Sequence, residues 1–298
     1  MSDLHGLLNA IVTPFTPGED EVDEPNLRSI VDYCITSGVH GIVACGSTGE
    51  FAAMTDRERR TVVEIILEQA AARVPVIAQT GGMTTREAIS LSQHAEAAGA
   101  AAIMVVGPYY EPLTPNEMMY HFRSVAASVD IDVMVYNLPV ATGVNLLPED
   151  LAALASEASN IKYVKDTSGD FTQGARLIHQ YSEVLKVFVG LDTFYFSALV
   201  EGGAGSVNGA ANIICAELVE IYDQIQAGDI LAARTIWDKV YPLMQSLVSG
   251  GYVTGVKGAM EILGRSAGSP RAPIETLVGT RDAELRRVLA ALEPATTA

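Results

Sequence analysis

Short apolar runs alternate with amphipathic stretches along most of this 298-residue chain, and that alternation predicts its architecture. Candidate strands fall at residues 7–12, 42–45, 74–79, 101–105, 132–136, 161–165, 184–189 and 205–207. Between them, helical patterns are expected at about 25–37, 55–72, 85–99, from Pro115, from Pro148, 193–201 and 211–227. Pro25 suits a helix start and Gly38 a helix stop, while Thr55 followed by Glu58 forms a capping box. Apolar strands joined by helical crossovers make a parallel sheet. Eight strands with these crossovers fit a closed (β/α)₈ barrel, the TIM barrel, better than an open doubly wound sheet. No G-x-G-x-x-G follows the first strand, which argues against a dinucleotide-binding sheet. After residue 227 the pattern is purely helical, at about 229–248, 252–264 and 281–293. The expected division is therefore a barrel over 1–227 and a C-terminal helical extension over 228–298, with no low-complexity linker between them.

A barrel of this kind gathers its active site on the loops that follow the strands. The polar residues there are Thr13, Ser47, Thr48, Glu50, Tyr109, Tyr110, Tyr136, Asn137, Lys165, Asp166, Thr167 and Asn208. Lys165 closes the run Ile161-Lys162-Tyr163-Val164-Lys165, and a period of two puts it on one face with Ile161 and Tyr163. An amine pointing inward from an apolar wall is poorly solvated, which favours the neutral form that carbonyl addition and Schiff-base formation require. The plain alternative is a solvated lysine at a strand end. The turn Gly46-Ser47-Thr48-Gly49-Glu50 offers hydroxyls and free N–H groups ahead of a helix, a cradle for a carboxylate or phosphate unless it is simply a tight turn. It is not a P-loop, because no Gly-Lys-Ser/Thr follows. Tyr136 ends the strand before that of Lys165, so its phenol is a candidate proton shuttle for a carbinolamine. Tyr109 and Tyr110 form an aromatic pair that can equally anchor their loop. A cradle, a phenol and a desolvated lysine on successive loops describe a class I aldolase-type site for a 2-keto acid.

Composition narrows the partners. Hydrophobic residues make up 49% and charged residues 18% of the chain, enough for a large core. A net charge of −17 argues against nucleic acid or an anionic membrane as partner. Among only five lysines an inward-pointing one is conspicuous. Cys34, Cys45 and Cys215 show no C-x-x-C pairing, which suits a reducing cytoplasmic compartment. The five histidines are scattered without ligand spacing, so no metal is expected, and a Schiff-base site calls for no organic cofactor. No signal-peptide pattern opens the chain and no apolar run approaches a membrane span.

The whole pattern resembles the pyruvate-dependent Schiff-base lyases of the dihydrodipicolinate synthase and N-acetylneuraminate lyase family. The matching motifs are Ala10-Ile11-Val12-Thr13-Pro14-Phe15, Gly46-Ser47-Thr48-Gly49-Glu50, Pro108-Tyr109-Tyr110, Tyr136-Asn137-Leu138-Pro139, Lys165-Asp166-Thr167-Ser168-Gly169 and Gly202-Gly203-Ala204-Gly205. The resemblance implies a homotetramer built as a dimer of dimers, with Lys165 as Schiff-base lysine and Tyr136 as proton-relay tyrosine. It implies that Ser47 and Thr48 hold the keto-acid carboxylate, with Ser47 also in the relay. Tyr110 matches a tyrosine lent across a dimer interface, and Val207 a position whose carbonyl faces the pyruvyl group. Members that make dihydrodipicolinate carry an arginine two residues after the motif proline, where this chain has Ala141. Phe51, Arg59 and Met83 likewise replace the residues of a lysine feedback site. The resemblance thus leaves open an aldolase, a dehydratase of 2-keto-3-deoxy acids, and a genuine 4-hydroxy-tetrahydrodipicolinate synthase. A non-catalytic keto-acid sensor, or a barrel holding phosphate at its glycine-rich 202–205 loop, is the reading from a different class.

Overall fold

A computed structural model describes residues 3–18 and 21–292. Eight parallel strands follow one another around a closed barrel: β1 (Gly6–Ala10), β2 (Gly41–Ala44), β3 (Val76–Gln79), β4 (Ala102–Val106), β5 (Asp132–Asn137), β6 (Ile161–Asp166), β7 (Lys186–Val189) and β8 (Gly205–Asn208). The helices α1 (Glu24–Thr36), α2 (Asp56–Ala70), α3 (Thr85–Ala98), α4 (Pro115–Ala126), α5 (Pro139–Thr142), α6 (Pro148–Glu157), α7 (Phe171–Tyr181), α8 (Tyr195–Val200) and α9 (Cys215–Gln226) lie between and after the strands. Three more, α10 (Ile230–Val248), α11 (Tyr252–Ile262) and α12 (Gly279–Ala290), complete the described chain. The protein is a TIM barrel with C-terminal helices.

The helix starts follow local chemistry. Thr55 and Thr114 accept the N–H of Glu58 and Glu117, whose carboxylates reach back to the cap amides at 2.8 Å each. Pro25, Pro115 and Pro148 occupy first turns, where the missing N–H has no partner to lose. Leu7, Leu8, Ile11, Ile42, Ile77 and Ile103 are wholly buried, and they belong to one continuous core shared by strands and helices. Closure depends on glycine: a Cβ on Gly205 would lie 2.0 Å from the Gly6 carbonyl oxygen on the neighbouring β1. The glycine-rich 202–205 segment therefore serves close strand approach.

Several boundaries differ from the sequence reading, each for a definable reason. The strand expected from residue 184 begins at Lys186, because the amides of Val184 and Leu185 bond back to the Tyr181 carbonyl and finish the preceding helix. That helix, α7, is not among the helices expected from the sequence, although its apolar residues recur at helical spacing. It is capped by Asp170, which accepts from the amides of Thr172 and Gln173, and it carries Gly174 in its interior. The segment expected at 211–227 is a 3₁₀ turn at Ala210–Asn212 followed by α9. Position 293, the expected end of the last helix, lies outside the described residues.

One irregularity bears on the site. Val133 pairs with Ile161 but Met134 pairs with Tyr163, so β6 carries a bulge at Lys162. Lys162 turns outward to Asp132, 2.8 Å away, while Tyr163 and Lys165 stay buried. Bulges re-aim side chains, and this one sits three residues before Lys165.

Candidate active site

The C-terminal ends of β5 and β6 bring two predicted residues together. Tyr136 and Lys165 are register partners on adjacent strands, 4% and 5% exposed. The Lys165 amine stands 3.9 Å above the centroid of the Tyr136 ring. Space for the lysine chain comes from the residue just after β7: a Cβ on Gly190 would lie 2.8 Å from Lys165 Cε and 2.0 Å from Thr167 Oγ1.

A polar girdle locks these strand ends. The Asn137 amide donates to Asp166 at 2.9 Å and to Asn145 at 2.8 Å, and Gln173 of α7 donates to the same Asp166 oxygen at 3.2 Å. The Ser168 hydroxyl donates to the other Asp166 oxygen at 2.8 Å. Burial pushes the Asp166 carboxyl above its ordinary range, and these donors pull the other way. Every donor on Asp166 therefore helps to fix the residue next to Lys165.

Two groups outside the sequence prediction join this end of the barrel, Asp192 within reach of the Lys165 charge and Tyr252 bonded to Asp192. Asp192, 3% exposed, accepts the Ala210 amide at 3.0 Å and the Tyr252 hydroxyl of α11. Burial raises its pKa, opposed by the bonds from Tyr252 and the Ala210 and Gly209 amides and by the charge of Lys165. Burial and then the Asp192 charge hold the Tyr252 phenol well above its usual value. Asp192 directly follows Gly190-Leu191 at the end of β7, a position that a search of strand-end loops would reach. Tyr252 arrives from a helix far along the chain, and nothing local in the sequence marks it.

The Gly46–Glu50 turn forms the opposite wall. Thr48 is 6% exposed and Ser47 is exposed. The Thr48 hydroxyl and the Tyr252 hydroxyl converge on Gly209, where an added Cβ would lie 3.0 Å and 2.5 Å from them. Val207, in β8, is 1% exposed and pairs with Leu8. Ala141 lies exposed in the short α5, beside Val140, which is 87% exposed.

Tyr110 is not brought to the lysine within this chain. It is 78% exposed, in a surface groove with Met83, Pro108 and Tyr120. Its neighbour Tyr109 packs edge-on against Phe51, 5.9 Å between centroids, and so anchors the loop. Arg59, 4% exposed, donates to Gln79 and Gly81 and lies 5.2 Å from the Phe51 ring. Cys45, beside the turn, is a wholly buried thiol that burial pushes up to about 12.

Residues 3–292 match the dihydrodipicolinate synthetase family. The chain belongs to that family. It is accordingly an enzyme, a lyase of the class I aldolase kind. A 4-hydroxy-tetrahydrodipicolinate synthase of Syntrophus aciditrophicus is 38% identical over 284 residues, spanning 95% of this chain and 97% of that protein. A protein of the same name from Methanopyrus kandleri is 35% identical, spanning 96% and 95%. The crystal structure of the chloride-inhibited dihydrodipicolinate synthase from Acinetobacter baumannii complexed with pyruvate superposes with a TM-score of 0.93 at 32% identity, covering 97% of this chain and 99% of that one. Among the described residues, no helix is long and apolar enough to cross a membrane, and no group of three His, Cys, Asp or Glu side chains is placed to hold a metal.

Proposed function

We propose that this family member binds a 2-keto acid, pyruvate or a pyruvyl-ended substrate, as a Schiff base on Lys165. The observation that carries this reading is the buried Lys165 amine lying 3.9 Å over the Tyr136 ring at a barrel strand end. The amine adds to the keto carbon, and the resulting carbinolamine loses water to give an iminium. Tyr136 shuttles the protons of both steps, linked to solvent through Ser47. The iminium accepts the electron pair of a breaking C–C or C–H bond, so aldol cleavage, aldol addition and β-elimination of water all proceed from one intermediate. Ser47 and Thr48 hold the substrate carboxylate with hydroxyls and turn amides. The Val207 carbonyl faces the pyruvyl group, and Ala141 marks where the substrate's remaining chain leaves the site. No metal or organic cofactor enters this scheme.

Tyr110, exposed in the single chain, completes the site from a neighbouring copy in a homotetramer built as a dimer of dimers. The reduced thiols and acidic surface suit the cytoplasm.

The second substrate is the open part of the reaction. Relatives named 4-hydroxy-tetrahydrodipicolinate synthase favour condensation of pyruvate with aspartate semialdehyde. Against it, residues 140 and 141 supply no guanidinium, and charge-assisted pairs are the stronger grips on a carboxylate. We therefore assign an aldolase acting on a neutral or hydroxylated chain, with a 2-keto-3-deoxy acid dehydratase as the runner-up. A keto-acid panel separates the three: pyruvate plus an aldehyde marks the aldolase, an unchanged carbon count the dehydratase, and turnover of aspartate semialdehyde the synthase. Inactivation by borohydride only when a keto acid is present supports the shared Schiff base; activity untouched by that treatment overturns it.

A further inference from the structure

We propose that the buried ion pair between Glu50 and Lys257 positions the Ser47–Thr48 turn, so that the C-terminal helices set how tightly the site grips a keto-acid carboxylate. The inference rests on the reading of that turn as the carboxylate cradle.

The turn is conformationally expensive. It leaves β2 through Cys45 at φ 55° and meets the next helical turn through Glu50 at φ 59°, two non-glycine residues in the left-handed region. Such residues persist where their surroundings over-determine them. At the Cys45 end the surroundings are core. At the Glu50 end they are ionic and come from the far end of the chain. Glu50 Oε1 is 2.6 Å from the Lys257 amine of α11, and the two side chains are 0% and 2% exposed. The other oxygen, Oε2, accepts the Arg271 amide at 2.8 Å. Lys257 also donates to the Ser269 carbonyl at 3.1 Å and stands 4.5 Å over the Phe15 ring.

The placement of this carboxylate is transmitted to the cradle through short bonds. The Glu50 amide donates to the Ser47 carbonyl at 3.1 Å, and the Thr13 hydroxyl donates to the Gly49 carbonyl at 2.8 Å. A Cβ on Gly49 would lie 3.0 Å from the Ile11 carbonyl oxygen, so the turn is pressed against β1's end with little room to shift. Rotating Glu50 out of its pocket would carry the Ser47 and Thr48 amides with it. It would also strand a buried charge, so the arrangement has few intermediate states. The same helix α11 delivers Tyr252 to Asp192 beside Lys165. One element outside the barrel thus contacts both the Glu50 turn and the Asp192 side of the proposed site.

A positioning role differs from plain structural support in what it changes. The experiment is the pyruvate concentration dependence of borohydride trapping on the full-length protein, with thermal melts alongside. Lys257→Met should raise the half-saturating pyruvate concentration about tenfold or more and leave the trapping rate at saturation within about threefold. The double variant Glu50→Gln/Lys257→Met should recover part of that loss, because neither charge is then buried alone. A double variant no better than Lys257→Met overturns the ion-pair account. A folded Lys257→Met with native half-saturation and only a lower melting temperature overturns the proposal outright. Should Lys257→Met fail to fold, Glu50→Gln, which keeps the shape, carries the same test: half-saturation raised about threefold or more supports the proposal, and a native value overturns it. If native protein is never trapped by pyruvate, the Schiff-base reading has failed instead. Hydrogen exchange at the Ser47 and Thr48 amides then decides the positioning question: faster exchange in the variants supports it, and unchanged exchange overturns it.

Discussion

At the scale of residues, the proposed site is a lysine set against an aromatic face and kept in place by what surrounds it. Tyr136 contributes both a ring under the amine and a phenol. Tyr136→Phe keeps the ring and removes only the proton carrier, so turnover should fall about a hundredfold while Lys165 still forms a trappable adduct on long incubation. Steady-state rates beside single-turnover trapping check this: both rates at saturation should fall while half-saturation stays within about threefold, and a native rate at saturation with a raised half-saturation would assign Tyr136 to binding. Gly190→Ala tests the packing. Its Cβ would fall 2.0 Å from Thr167 Oγ1 and 2.8 Å from Lys165 Cε, so something must shift and the lysine loses its aim. The expected result is a large loss of adduct formation with only a modest drop in melting temperature. That Lys165 and Tyr136 end neighbouring strands was legible in the sequence; what singled them out as a pair was mostly the family resemblance, since a lysine at a strand end is by itself more often idle. Asp192 was overlooked, and Tyr252 was not legible, because its role exists only once α11 has docked against the barrel.

At the scale of elements, strong local signals survived folding. The capping boxes at Thr55 and Thr114 form as their spacing implies. α7 was missed although its apolar residues Phe171, Ile178 and Tyr181 recur at helical spacing; the signal was there to be read, and Gly174 in the middle of the segment weakens only its propensity. The contact between α3 and α4 gives a pH signature. His121 of α4 is 1% exposed; Nδ1 lies 3.1 Å from the Thr85 hydroxyl and Nε2 has no hydrogen-bond partner among the described residues. Burial lowers its pKa from 6.5 to about 4. The unfolded chain therefore binds a proton that the folded chain refuses between those values. Its contribution to stability is complete above about pH 6.5 and is lost as pH falls towards 4. Melting temperatures across that window should fall with pH, and His121→Phe should flatten the slope. An unaltered slope would place the titrating group elsewhere.

At the scale of the whole molecule, eight strands with most of their crossover helices were enough to announce a barrel, because only closure satisfies every strand edge. How the C-terminal helices engage the barrel was not legible, since it depends on ionic contacts between distant segments. Arg271 lies 2.5 Å from Glu58 and 4.2 Å from the Phe15 ring centroid, fastening the segment after α11 to the start of α2. The Arg271 hydrogen bond holds the Glu58 carboxyl down to about 2 from an ordinary 4.5. That stabilisation is present above about pH 4.5 and is lost as pH falls through about 2. Glu58→Gln should remove it, seen as a shallower acid limb in a stability profile; a profile identical to that of the native chain would show that the contact contributes nothing to stability.

The central claim is that Lys165 carries the covalent chemistry. Its most direct measurement is peptide mass spectrometry after borohydride reduction in the presence of pyruvate, on the native chain and on Lys165→Arg. The account predicts a reduced pyruvyl adduct on the peptide containing Lys165, and no adduct and no turnover in the variant. An unmodified Lys165 peptide from fully active enzyme, or a Lys165→Arg variant that still turns over, would contradict it.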